Sequence, residues 1–256
     1  MYPIILRLHK NLAIQSYGVA IALGLIIAYL LAKKEITKKS LITVQTLDEL
    51  TTFVSIAVLI GGRIWHRITE PELYSAWYEA IIPWTGGFSV MGSMIAALCV
   101  GIWYVRINSL PLWKILDLVG AYAPLVQGFG RIGCFLAGCC FGTQTTIWWG
   151  ISYTNPDVLA PLFCPLHPTQ LYSALLFFIL FALLQIYKKQ DPFPGSIGLV
   201  YLIGASTERF ILDFLRGDQI AAPLFSVNQW IALILALLSS IIFIYRMRSY
   251  GSFSLR

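Results

Sequence analysis

Apolar residues run through this chain in stretches whose length suits a membrane rather than a soluble core. A helix needs about 20 apolar residues to cross the hydrocarbon layer. Windows of that size mark seven stretches, near residues 14–32, 48–66, 87–105, 115–136, 168–187, 196–215 and 227–245. The fourth is interrupted by Asp117, Gln127 and Arg131. The first is flanked by Arg7 and Lys10 before it and Lys33-Lys34 after it, and has no small-residue cleavage site, so it reads as a retained helix rather than a signal peptide. The pattern predicts an all-α integral membrane protein, a seven-helix bundle forming one polytopic domain over residues 1–256.

The polar positions between the stretches orient them. Lys33, Lys34, Lys38 and Lys39 follow the first, Arg106 and Lys114 separate the third and fourth, Lys188 and Lys189 follow the fifth, and Arg246, Arg248 and Arg256 close the chain. These clusters share one side only with seven spans, the N-terminus outside and the C-terminus inside. The opposite segments, 67–86, 137–167 and 216–226, are poor in Lys and Arg. They hold Trp77, Trp84, Trp148 and Trp149, residues suited to a membrane–water interface. Segments 67–86 and 137–167 are expected to form a small outer cap, and short strands or turns are open around Thr143, Thr145, Thr146 and Tyr153.

Composition agrees: 58% of residues are hydrophobic, only 12% are charged, and mean hydropathy is +0.75. The net charge of +6 belongs to the cytoplasmic loops of this topology and does not imply a nucleic-acid partner.

Polar groups at membrane depth are costly and need a reason. Four segments carry them: Gly61-Gly62-Arg63; Gly86-Gly87 through Gly92-Ser93; Gly128 through Cys134 with Arg131 inside; and Glu208 through Arg216. All four fall toward the outer side in the predicted topology, where a shared polar cavity would satisfy them. Arg209, Asp213 and Arg216 follow i, i+4, i+7 spacing and form one helical stripe. Asp213 can pair with either arginine, leaving net positive charge for an anion. A planar guanidinium binds phosphate through two parallel hydrogen bonds. Plainer readings stand beside this one: Arg63 and Arg216 can snorkel to headgroups, Gly61-Gly62 can serve helix packing, and Arg131 and Arg209 can form structural ion pairs with Glu208 or Asp213.

These segments, in order, resemble the bacterial prolipoprotein diacylglyceryl transferase family. Ser16-Tyr17-Gly18, Gly61-Gly62-Arg63, Gly130-Arg131-Ile132-Gly133-Cys134-Phe135 through Gly142, His167-Pro168-Thr169-Gln170-Leu171-Tyr172, Arg209 through Arg216 and Ser226-Val227-Asn228-Gln229 each look like a family element, from Tyr17 to Gln229. The resemblance implies transfer of a diacylglyceryl group from phosphatidylglycerol to the lipobox cysteine of a preprolipoprotein, giving a thioether and glycerol phosphate. It implies a bacterial inner-membrane location with the active site toward the outer face, and neither cofactor nor metal. Arg131 and Arg209 are then expected to bind the phosphate and stabilise the leaving group, with Arg216 and Asp213 shaping the headgroup pocket and Tyr17 bonding a lipid oxygen. Arg63, Gly86, Gly87, Gly92, Gln170, Tyr172 and Glu208 complete the expected lipid site.

The chain departs from the family pattern at Met91, where a His is expected, and at Cys134 and Cys139, where an Asn and a Glu are expected. Methionine accepts no proton, so His167 becomes the candidate base; a His before Pro also serves to cap a helix. Cys134, Cys139, Cys140 and Cys164 fall on the outer side and Cys99 within the third span. A disulfide from Cys139 or Cys140 to Cys164, free small apolar side chains, and redox or metal work all remain open, although no Cys-x-x-Cys spacing is present. The alternatives to the enzyme are a non-catalytic relative that keeps a pocket for anionic phospholipid and, ranked lower, a small-solute transporter.

Overall fold

The computed structural model describes residues 1–9, 12–39, 42–74, 76–80, 87–218 and 224–254. Lys10, Trp84, Gly86 and Arg256 lie outside the described residues, as do the side chains of Lys39 and Trp77. Seven α-helices are present among the described residues: α1 Ser16–Lys39, α2 Val44–Thr69, α3 Val90–Ile107, α4 Leu112–Ala137, α5 Thr169–Lys188, α6 Ser196–Asp213 and α7 Val227–Ser254. Each coincides with one apolar stretch. Five of them (α1, α2, α3, α5 and α7) are long and apolar enough to cross a membrane. Large apolar side chains such as Leu59, Leu98, Leu175 and Ile241 stand more than half exposed on these helices, as a lipid-facing surface requires. Two short strand pairs accompany the helices. Strands β1 (Ile4–His9) and β2 (Leu12–Gln15) pair before α1, while β3 (Ile151–Ser152) and β4 (Pro165–Leu166) pair antiparallel between α4 and α5. The second pair answers the strands-or-turns alternative for the 137–167 segment; the first was not apparent in the apolar pattern.

Contacts divide the chain into two units, one made of Met1–Leu8, Ala13–Ala32 and Leu116–Arg256, the other of His9–Leu12 and Lys33–Ile115. In the second unit, α2 and α3 pack through glycine. A Cβ on Gly92 would collide with Trp65 and the Gly61 carbonyl, so the two backbones touch where no side chain intervenes. Ser89 caps α3 by accepting the Gly92 N–H at 3.4 Å. Toward the other end of this pair, Leu50, Tyr104, Val105 and Ile115 form a buried cluster, with Tyr104 Oη donating to Glu49 at 2.7 Å.

In the first unit the charges that interrupt α4 acquire partners. Asp117 accepts the N–H groups of Gly195 (2.6 Å) and Gly198 (3.0 Å), so a side chain of α4 satisfies donors that the start of α6 leaves without an intrahelical partner. The two helices come this close because both are glycine at the crossing: a Cβ on Gly120 would lie 2.7 Å from Gly198 Cα. Gln127 accepts from Tyr201 Oη at 3.2 Å. Helix α7 begins with a reciprocal capping box, in which Gln229 N–H donates to Ser226 Oγ (3.0 Å) and Ser226 N–H to Gln229 Oε1 (2.8 Å). The residues before α1 are tied to the 138–168 cap. Asn155 donates to the Met1 carbonyl (2.9 Å), and Arg7 approaches Asp157 at 3.6 Å.

Candidate functional site

Within the first unit, Arg131, Cys140, Thr169, Ser173, Glu208, Arg209, Leu212 and Arg216 line an open-sided cavity of about 220 Å³, space continuous with solvent included. Three guanidiniums and one carboxylate thus face the same space. The i, i+4 spacing read from the sequence is realised as an ion pair, Arg209 Nη2 to Asp213 Oδ1 at 3.1 Å, with the Asp213 side chain fully buried. Asp213 also accepts from Ser226 Oγ, the α7 cap, which fixes the carboxylate and through it the arginine. Arg216 does not share Asp213. Its partner is Asp218, in a two-pronged contact of 2.9 and 2.7 Å. Burial depresses the Arg216 pKa, but the bond to Asp218 and the nearby Cys140 more than offset this and hold it above its ordinary value. Glu208 accepts from Ser173 Oγ of α5. Arg131 differs from both neighbours: among the described residues it has neither a hydrogen bond nor an ion pair, and its fork is open to the cavity.

The cap brings Arg216 to this place. Residues 141–144 run between two other segments: Gly142 N–H donates to the His167 carbonyl (3.0 Å), His167 N–H to Thr143 O (3.0 Å), Thr143 N–H to Leu215 O (2.8 Å) and Gly217 N–H to Phe141 O (3.0 Å). The chain leaving α6 is therefore stitched to the chain entering α5, and the cavity lies beside the seam. At the end of α4, Gly138 takes a left-handed conformation (φ +70°). Its N–H bonds to Phe135 O (3.3 Å) and the Cys139 N–H to Cys134 O (3.1 Å), the paired bonds of a Schellman turn. That turn folds Cys139 back over Cys134. Cys140, also left-handed at φ +59°, completes the reversal. Thr169 Oγ1 donates to the Cys140 carbonyl (2.9 Å) and Gln170 Nε2 to the Cys139 carbonyl (2.7 Å).

The expected site residues therefore separate. Arg131, Arg209, Arg216 and Glu208 meet at the cavity, and Asp213 supports Arg209 from behind. Gln170 holds the cysteine turn and reaches Tyr153 Oη at 3.1 Å; burial pushes the Tyr153 phenol up to about 12. Tyr172 Oη accepts from Trp149 Nε1 at 2.5 Å in the cap. Tyr17 packs on α4, where a Cβ on Gly133 would lie 3.1 Å from its Cα. His167 is not among the cavity-lining residues; its Nδ1 is buried with no partner among the described residues. Arg63, Gly87 and Gly92 belong to the second unit. There Arg63, 8% exposed, donates to the carbonyls of Gly87 and Glu79, both at 2.8 Å, and lies 5.8 Å from the Tyr74 ring centre. Gly87 packs against the His66 ring, and Gly61 and Gly92 serve helix packing.

All five cysteines are free thiols, so the disulfide alternative is not realised; Cys164 Sγ turns to the Pro161 carbonyl at 3.8 Å. Sequence reasoning missed Ser173 and Asp218, and it quoted Cys140 and Thr169 without expecting them to line the cavity. The Ser-x-x-Gln spacing at 226–229 was a readable helix-start signal, whereas Asp218 lies beyond α6 in a segment without periodicity.

A sequence model of the prolipoprotein diacylglyceryl transferase family matches residues 3–245. A phosphatidylglycerol–prolipoprotein diacylglyceryl transferase of Clostridium tetani is 32% identical over 244 residues, 95% of this chain and 97% of the relative. A second, of Clostridium perfringens, is 36% identical over 228 residues, 87% of each chain. One from Bordetella parapertussis is 29% identical over 96% of this chain and 95% of its own.

Proposed function

We propose, on the premise that this chain belongs to the prolipoprotein diacylglyceryl transferase family, that it moves the diacylglyceryl group of phosphatidylglycerol to the lipobox cysteine of a preprolipoprotein. It is a multi-pass protein of the bacterial inner membrane, as its five apolar helices and its bacterial relatives indicate. In this reading α4 and α6 also cross, giving seven spans in one functional domain, with the N-terminus and the site outside and the basic loops inside.

The observation that carries the reading is the open guanidinium of Arg131 facing the same cavity as Arg209 and Arg216. Arg131 and Arg209 bind the lipid phosphate, and Arg216 with Asp213 shapes the headgroup pocket. The acceptor sulfur attacks the glyceryl carbon. As the S–C bond forms, the C–O bond to phosphate breaks and its electron pair leaves with glycerol phosphate. Guanidiniums already aimed at the phosphate offset the charge that develops there without reorganising. Binding and orientation supply the rest of the rate. Tyr17, close to Gly133 of α4, hydrogen-bonds a lipid oxygen. Gln170 and Tyr172 set the cap over the lipid, while Arg63, Gly87 and Gly92 serve the second unit's own packing. The acceptor thiol must lose its proton. The arginines favour its thiolate, and His167, with an unpartnered Nδ1, is the candidate base for a peptide approaching from the cap.

Purified protein in detergent, mixed with phosphatidylglycerol and a lipobox peptide, tests this. The peptide gains a diacylglyceryl mass and glycerol phosphate is released in equal amount, and Arg131→Ala or Arg209→Ala abolishes both while the protein stays monodisperse. Folded wild-type protein that yields neither product sinks the reading.

A further inference from the structure

The sequence places three cysteines around the end of α4, and the Schellman turn at Gly138 gathers them. The Sγ atoms of Cys134, Cys139 and Cys140 all lie within 4.8 Å of one another. Three thiolates bound to Zn²⁺, at about 2.3 Å each, stand roughly 3.8 Å apart, so the set has to contract by no more than about 1 Å. Cys140 is a non-glycine residue at φ +59°, a conformation that costs about 1–3 kcal/mol and persists where its surroundings enforce it. Thr169 and Gln170 enforce it here, by bonding the carbonyls of Cys140 and Cys139. Cys134 is buried, whereas Cys139 and Cys140 are only partly covered, and Cys140 lines the arginine cavity.

We propose that Cys134, Cys139 and Cys140 bind one thiophilic metal ion, Zn²⁺ above others, as three thiolates, with the fourth coordination position opening past Cys140 onto the arginine cavity and taking the acceptor thiol. This deepens the transferase reading and rests on it for the identity of the fourth ligand. Thiolate sets select soft or borderline ions, and a three-ligand zinc site with an open position is the arrangement that works on substrates. A thiol that coordinates such an ion is deprotonated outright, its proton passing to solvent. The bound thiolate then attacks the glyceryl carbon, and the C–O electron pair departs on the phosphate. The thioether formed is neutral, a weaker ligand, and gives way to water. Three thiolates and one divalent ion carry a single negative charge, which Arg131 and Arg216 offset from across the cavity. A site of this kind generates thiolate without an imidazole.

Anaerobic, reduced protein in detergent is equilibrated with Zn²⁺, Cu⁺ or Co²⁺ separately, desalted and analysed for metal content. One equivalent of Zn²⁺ per chain is expected. Co²⁺ gives a thiolate-to-metal charge-transfer band, and a lipobox peptide shifts that band where its Cys→Ser version does not. Cys134→Ser, Cys139→Ser and Cys140→Ser each weaken metal binding at least tenfold, while Cys164→Ser retains it. Substoichiometric Zn²⁺ in folded protein, retention of metal by the triple serine variant, or a disulfide among the three cysteines overturns the proposal. A metal-loaded protein whose Co²⁺ band ignores the peptide overturns the fourth-ligand assignment. Full transfer by chelator-stripped, metal-free protein also overturns the proposal and leaves the transferase reading standing, whereas metal binding and peptide shift without any transfer overturn that reading alone.

Discussion

Arg63 and Arg131 are both guanidiniums on apolar helices, and they have opposite situations. In α2, Arg63 is nearly sealed, and its two terminal nitrogens each donate to a carbonyl of the segment that follows, Glu79 and Gly87. In α4, Arg131 opens on a cavity with no hydrogen-bond or ion-pair partner among the described residues. The first arginine is consumed by its own fold: it supplies the hydrogen bonds that a loop near lipid cannot get from water. The second leaves its donors for something else. Presence of an arginine at membrane depth therefore does not mark a ligand site; unfilled donors do. The neighbouring Arg209 and Arg216 are intermediate, each held by one carboxylate, which orients the fork while leaving part of it toward the cavity.

Substitutions at these positions test the contrast, from largest effect to smallest. Arg131→Lys keeps the charge but loses the planar fork. Transfer is expected to fall about 10²–10³-fold, the loss typical of a missing transition-state donor, with thermal unfolding unchanged; a rate within threefold of wild type would place Arg131 with Arg63. Gly92→Ala forces a methyl into Trp65 and the Gly61 carbonyl, and about 2–3 kcal/mol of destabilisation is expected from overpacking. Thermal unfolding in detergent measures it, and an unchanged midpoint would mean that the α2–α3 contact relaxes around the added methyl at no cost. Arg63→Met removes the charge and strands two carbonyls, for about 2 kcal/mol of lost stability, with lipid phosphate binding within twofold of wild type. A selective loss of binding at full stability would erase the distinction between the two arginines. Ser226→Ala takes the cap from α7 and one hydrogen bond from Asp213. It should cost about 1 kcal/mol and raise the lipid KM severalfold through a looser Arg209, with kcat less affected; an equal fall in kcat at constant KM would place Ser226 in the chemistry itself.

The helices were legible because lipid leaves the chain few choices: each apolar run of sufficient length became a helix, and even the interrupted fourth run did so once Asp117 could bond the start of α6. The pair Arg209–Asp213 was legible from spacing within one helix. What lay outside a period was not. Asp218 follows the last turn of α6, and the strand pair before α1 sits in residues whose apolar character merges with the helix. The cysteines show the limit most clearly. Spacing rules look for Cys-x-x-Cys, while here a left-handed Gly138 folds position 139 over position 134 and brings together residues five apart.

The bond from Asp117 to the start of α6 also bears on how the protein is made. In the seven-span reading proposed above, helix α6 takes Glu208, Arg209 and Asp213 into the bilayer, where a charge at the centre costs roughly 2.5–3.5 kcal/mol. Helix α4 leaves the ribosome first, already bearing the carboxylate for Gly195 and Gly198 and the glycine face against which α6 rests. The later helix thus enters next to a prepared berth. A gene rearranged so that α6 is translated before α4 would ask the insertion machinery to accept the start of α6 before Asp117 and the Gly120 face exist, and a lower yield of inserted protein is the expected result.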